Sequence, residues 1–250
     1  MIWAWIGALL IGISLGLLGS GGSILTVPVL VYLVGEPEKV AIAESLGIVA
    51  TISLVGAIPY AIRKEVDWKS VFYFGIPGMA GTYGGAALST YLSGSIQLMI
   101  FAVVMLIAAA MMIRKPKELE AKDKTAPIWM LISEGLVVGV VTGLVGVGGG
   151  FLIIPALVLL GGLSMRIAVG TSLFIIAAKS LLGFYKYIDV LAKENLSINW
   201  QLVLVFTLIG IVGSFIGSKA SQYIPQQQLK RGFGYFLILM GVYILYVNFV

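Results

Sequence analysis

Lys179 stands in IIAAKSLLG, in the middle of an apolar run and twelve residues past the nearest upstream boundary at Ile167. A charge at that depth of a bilayer costs at least about 2.5 to 3.5 kcal/mol. A protonated lysine there needs a counter-ion, either a carboxylate or a bound anion. The acids inside apolar segments are Glu44 and Glu134, so the chemistry on offer is a static ion pair or an anion site. Glu134 lies near a segment entry, where an interfacial position accounts for it; Glu44 is a candidate proton carrier. Zero His and zero Cys exclude imidazole bases, thiolate chemistry, disulfides and the usual zinc ligand sets. Neither a metal nor a cofactor is expected.

Hydroxyls and glycines supply the remaining candidates. Ser45, Thr171 and Ser172 lie just inside helix entries, AIAESLGIV at 41 to 49 and AVGTSLFII at 168 to 176. They either donate to an anion or bond back to their own helix turn. Two glycine clusters, GLLGSGGSILTVP at 16 to 28 and GLVGVGGGFLIIP at 143 to 155, each allow a tight turn followed by a helix start. Free N–H groups and the positive dipole end of such a start attract anions, which makes Gly21, Gly22, Ser23, Gly148, Gly149 and Gly150 candidate binding residues. Close packing between helices is the competing account of the same glycines. No Lys-Ser or Lys-Thr follows either cluster, so neither is a nucleotide loop.

The elements that position these residues must cross a membrane. The chain has 250 residues, is 60% hydrophobic and only 11% charged, against about a quarter charged in soluble domains. Charge-free runs cover 1 to 35, 70 to 113, 195 to 218 and 232 to 250, and 40 to 62 and 125 to 165 each hold a single glutamate. Each is long enough for a span of roughly 20 residues. MIWAWIGALL lacks the basic start of a cleavable signal. Trp3, Trp5, Trp68, Trp129 and Trp200, with Tyr185 and Tyr187, fall at expected helix ends, as interfacial belts do.

The two halves are copies. Pairing position i with i+127 from Gly16 through Ala57 gives 19 identities in 42 pairs. After a five-residue insertion, DWKSV at 67 to 71 meets NWQLV at 199 to 203. The division is a first membrane repeat over 1 to 113, a linker over 114 to 127 and a second repeat over 128 to 250. Each repeat reads as a glycine-turn hairpin, 3 to 18 with 23 to 34 and 128 to 146 with 151 to 161, followed by three transmembrane helices. These are expected at 40 to 62, 70 to 92 and 96 to 113, then 167 to 188, 200 to 222 and 229 to 249. Twelve residues of helix rise about 18 Å, short of the ~30 Å hydrocarbon core, so the second leg is re-entrant or short.

Three crossings per repeat invert the second copy. Basic residues then split 12 to 3 between the faces, against 10 to 5 if each hairpin were a single broken crossing. The richer face is cytoplasmic, which puts the linker inside and both termini outside. The fold class expected is thus an all-α polytopic membrane protein with two repeats in inverted topology. Its net charge of +5 sits in loops and reports orientation rather than a nucleic-acid partner.

The paired glycine clusters with their following prolines, the AVGTSL entry at 168 to 173 and the Asn199-Trp200 helix start resemble the TauE/SafE family of sulfite and organosulfonate exporters over essentially the whole chain. The resemblance implies a permease of a prokaryotic plasma or inner membrane for small sulfur-containing or organic anions, coupled to a proton or sodium gradient. It places the family's glycine motifs on Gly19, Gly21 and Gly22 and on Gly146, Gly148, Gly149 and Gly150, and its Thr-Ser pair on Thr171 and Ser172. Glu44 replaces the threonine in the first copy, and Ser23 stands where a third glycine belongs. Taken together, the expected function is a secondary anion transporter, not an enzyme, with its anion near the midplane between the two glycine turns. The rivals are a passive channel and an intramembrane hydrolase running on serine and lysine.

Overall fold

The computed structural model describes residues 2–19, 22–113, 128–146, 149–159, 161–220 and 223–249. The described residues fold into helices throughout, as a bilayer requires of a chain whose backbone groups must all be satisfied internally. In the first half these are α1 (Ile2–Leu18), α2 (Gly22–Pro28), α3 (Glu38–Ile62), α4 (Trp68–Leu88) and α5 (Gly94–Ile113). In the second half they are α6 (Ile128–Val145), α7 (Gly150–Leu159), α8 (Met165–Lys193), α9 (Trp200–Ala220) and α10 (Gln226–Phe249). Four of them, α3, α6, α8 and α9, are long and apolar enough to cross a membrane. The expected linker, 114 to 127, lies outside the described residues.

Both glycine clusters sit at hairpin bends. In the first hairpin, a Cβ built on Gly7 would meet Val29 Cγ1 at 2.7 Å, and one on Gly22 would strike Ile11 O and Leu15, so α1 and α2 run antiparallel. The returning leg is α2 continued by a π-helical turn over Val29–Val34, about 20 Å of rise in all. Its counterpart α7 has ten residues, about 15 Å. Both are too short to cross a ~30 Å core alone.

Helices of one half seat against helices of the other. Gly12 and Gly16 of α1 meet Gly210 and Ser214 of α9, and Gly135, Gly139 and Gly143 of α6 meet Phe74, Gly78 and Thr82 of α4. Numbers rise together along both seams, so both pairs are parallel. At each contact an added Cβ would strike a main-chain carbonyl, which is why these positions carry glycine. The repeat equivalents α3 and α8 pack antiparallel: Gly47 faces the Phe184 ring, and Gly170 faces Tyr60. Likewise α5 and α10 run antiparallel, with Gly234 against Ile113 and Gly241 against Leu106.

Two details differ from the sequence expectation. The five-residue insertion lengthens α8, which has 29 residues against 25 in α3, and adds one residue to the connection that follows. Tyr187 therefore lies well inside α8. Rather than joining an interfacial belt, it is fully buried; its hydroxyl donates to Leu144 O at 3.1 Å and accepts from Gln97 Nε2 at 2.8 Å. Trp5, Trp68, Trp129, Trp200 and Tyr185 are each at least half exposed, as belt residues are; the Trp3 side chain lies outside the described set.

Candidate functional site

Each hairpin bend is fixed by a glycine in the left-handed region. Gly19 (φ +68°) ends α1 and Gly146 (φ +73°) ends α6; their N–H groups donate to Leu15 O at 2.8 Å and Thr142 O at 2.9 Å. This is a glycine C-cap, which needs a positive φ that costs a residue without Cβ nothing. The space beside each glycine is taken by the opposite half, Val169 of α8 beside Gly19 and Ile42 of α3 beside Gly146. Among the other cluster residues, Gly22 is closed off by Ile11 and Leu15, and Gly149 (φ +70°) by Thr142. Ser23 and Gly150 are buried, while Gly21 and Gly148 lie outside the described residues.

The candidate hydroxyls hold those bends. Ser45 Oγ is 2.8 Å from Gly146 O and 2.8 Å from Ile42 O. Ser172 Oγ is 3.4 Å from Gly19 O and 2.9 Å from Val169 O. Each hydroxyl has one hydrogen, and every acceptor within its reach here is a protein carbonyl. One position earlier, the side chains act as acceptors. Thr171 Oγ1 accepts the Asp67 N–H at 2.9 Å, and Glu44 Oε1 accepts the Asn199 N–H at 2.8 Å. Asp67 and Asn199 immediately precede α4 and α9, so Glu44 and the threonine it replaces share one structural task.

An ion pair adds to the same reciprocal pattern at each end. Lys39 pairs with Glu194, and Arg166 Nη1 lies 3.7 Å from Glu65 Oε1. In both cases a basic residue at the start of α3 or α8 meets an acid just beyond the end of the other.

The antiparallel register of α3 and α8 sets the depths. Ser45 and Ser172, and with them the two bends, lie about 20 Å apart along the helix axes at 1.5 Å per residue. A small anion at one bend is out of reach of the other. Lys179 falls midway, about 10 Å from each. It is 1% exposed, with its chain against Gly78 on the α4–α6 seam. Its Nζ has no hydrogen-bond partner among the described residues, and none of the described ion pairs includes it. The alternative of a static pair with Glu44 is not formed, because the register puts Glu44 about 10 Å along the axis from Lys179 and engages it with Asn199. Nor is a pair with Glu134 among the described ion pairs; Glu134 Oε2 is itself buried without a partner among the described residues. The repeat equivalent of Lys179 is Ile52, which fills the matching position beside Gly210 on the α1–α9 seam.

The family model for sulfite exporter TauE/SafE matches residues 4–244. The chain belongs to the TauE/SafE family. A probable membrane transporter protein of Xylella fastidiosa strain Temecula1 is 29% identical over 244 residues, covering 95% of this chain and 92% of that one. Similar proteins named as probable membrane transporters occur in Methanocaldococcus jannaschii, 25% identical over 251 residues with 95% and 94% coverage, and in Haemophilus influenzae, 27% identical over 247 residues with 93% of each chain. No solved structure matches the chain. This TauE/SafE protein is thus a multi-pass membrane transporter rather than an enzyme, and the apolar helices agree with that class.

Two polar residues of this TauE/SafE chain, Gln97 and Ser53, escaped the sequence reading, and Ser180 entered it only beside Lys179 in the serine–lysine hydrolase alternative. Gln97 is fully buried and donates to Leu144 O at 2.6 Å, satisfying the end of α6 just before its bend. Ser53 and Ser180 are fully buried, and neither hydroxyl has a partner among the described residues. A signal for the serines was available: apart from Ser45 and Ser172, they form the only polar identity in the aligned stretch of the two halves.

Proposed function

We propose that this chain is a secondary transporter for small sulfur-containing or organic anions such as sulfite and sulfonates, with the anion held beside Lys179, between the two glycine bends. The observation that carries the reading is the buried Lys179 amine, without a partner among the described residues and midway along α8. An ammonium in that position is costly unless an anion joins it. Its counterpart Ile52 supports a single charged site rather than two equivalent half-sites. The bends, with Gly22 and Ser23 at one end and Gly149 and Gly150 at the other, close the path above and below. Ser45, Thr171 and Ser172 tie each bend and entry to the other half.

The halves are read as inverted copies. Antiparallel packing of α3 on α8 and of α5 on α10 supports this, because equivalent helices pointing opposite ways are related by a two-fold axis in the membrane plane. The 12 to 3 split of basic residues supports extracytoplasmic termini and a cytoplasmic linker, in a prokaryotic plasma or inner membrane. Glu44 is the proposed proton carrier, since its Oε2 is buried without a partner while Oε1 holds α9.

A thermal-shift screen of the purified protein against sulfite, sulfoacetate, thiosulfate and acetate tests the substrate class, because a ligand that binds the folded state raises its stability. Labelled uptake into proteoliposomes then tests the carrier: saturable, gradient-dependent flux with counterflow is expected. Non-saturable flux would instead make the protein a channel.

A further inference from the structure

Ser53 and Ser180 occupy equivalent positions on α3 and α8. Among the other buried hydroxyls on helices, Ser45, Thr82, Ser89, Thr142 and Ser172 bond back to a carbonyl three or four residues earlier, and Thr171 accepts the Asp67 N–H. Ser53 and Ser180 do neither, although both are fully buried. A serine in a helix can bond back to such a carbonyl, and these two hydroxyls leave that bond unused and are available to something else.

Helical spacing says where. Ser53 shares a stripe with Leu46 and Tyr60, which touch α8 near Gly183 and Gly170. Ser180 shares one with Phe184, which touches α3 at Gly47. In the antiparallel register both serines come within about one turn of the same depth, the depth of Lys179. Flanking them on these stripes are the small residues Ala50, Ala57 and Ala177. Two hydroxyls and one amine, each without a partner among the described residues, thus lie at about the same depth of the central helix pair.

We infer that Ser53 and Ser180 are a pair of hydrogen-bond donors to the transported anion, one from each half, completing the site to which Lys179 brings the charge. This rests on the reading that an anion binds at Lys179. Two hydroxyls and an ammonium at one depth suit a small oxyanion, sulfite, sulfonate or carboxylate, whose several oxygens accept from all three. A coupling cation is excluded from the same place by the ammonium. Ser45 and Ser172, by contrast, spend their hydrogens on the bends.

The test is the affinity of the purified full chain for sulfite and for sulfoacetate, measured by titration calorimetry on Ser53→Ala, Ser180→Ala and Lys179→Met. Unliganded melting temperatures serve as the folding control. Each serine substitution is expected to weaken binding about tenfold or more, as loss of a hydrogen bond to a charged ligand does, with the unliganded melting temperature unchanged or raised. Wild-type affinity in both serine variants, with binding lost in Lys179→Met, overturns the serine pair and leaves the lysine site standing. Loss in only one serine variant overturns the symmetric arrangement. Wild-type affinity in all three overturns both readings.

Discussion

Glu44 Oε1 accepts the backbone N–H of Asn199 at 2.8 Å, and so a carboxylate in the first half caps the approach to α9 in the second. Thr171 does the same for Asp67 ahead of α4. The contact needs an acceptor, not a charge. Glu44→Gln keeps a carbonyl oxygen in place and is expected to leave the melting temperature close to wild type. Glu44→Leu takes that acceptor away, a loss of about 0.5 to 1.5 kcal/mol, the net worth of one hydrogen bond. If Glu44 also carries the coupling proton, Glu44→Gln abolishes gradient-driven uptake while equilibrium counterflow persists. Retained gradient-driven uptake would remove Glu44 from coupling.

Gly146 combines a positive φ with the Ile42 side chain lying where a Cβ would go. Gly146→Ala is expected to destabilise the fold strongly, through both the clash and about 1 to 2 kcal/mol of left-handed backbone strain. Adding Ile42→Ala makes room but leaves the strain. The double variant should therefore recover part of the lost melting temperature in a detergent-based thermal assay. No recovery would mean that Ile42 is not what crowds the bend.

Much of this architecture was legible in the sequence. Length and apolar runs fix the helices, because a bilayer leaves a chain few alternatives. Glycine bends and short second legs follow from the repeated clusters. The Glu44–Asn199 contact was not legible, since it joins a side chain to a backbone N–H 155 positions away and no residue type at 199 announces it. Tyr187 was misread for a related reason: the boundary drawn at 188 made an interior position look terminal, whereas α8 runs on to Lys193. The depth of the bends also needed the register of α3 against α8, which hydropathy does not encode.

The two reciprocal ion pairs differ in worth. The Lys39 side chain is 11% exposed and that of Arg166 76%. Solvent screens an exposed pair to about 0 to 1 kcal/mol, so Arg166→Ala should barely move the melting temperature. Lys39→Ala should lower it, and the charge swap Lys39→Glu with Glu194→Lys should restore part of the loss. Equal effects at the two ends would contradict the burial difference.

Ser180→Ala removes a buried hydroxyl that has no partner among the described residues. Leaving such a group unsatisfied costs about 1 to 3 kcal/mol. The variant should therefore melt at or above the wild-type temperature without anion, and gain less than wild type when sulfite is added. A lower melting temperature without anion would show that the hydroxyl is already satisfied.

The most direct measurement is the affinity of Lys179→Met for sulfite in the purified protein. Methionine retains a long unbranched side chain beside Gly78, and Ile52 shows that the equivalent position accepts an apolar residue, so the variant should fold. The expected result is a folded protein with no detectable sulfite binding at concentrations that saturate the wild type. A folded Lys179→Met protein that binds sulfite with unchanged affinity would contradict an anion site at Lys179.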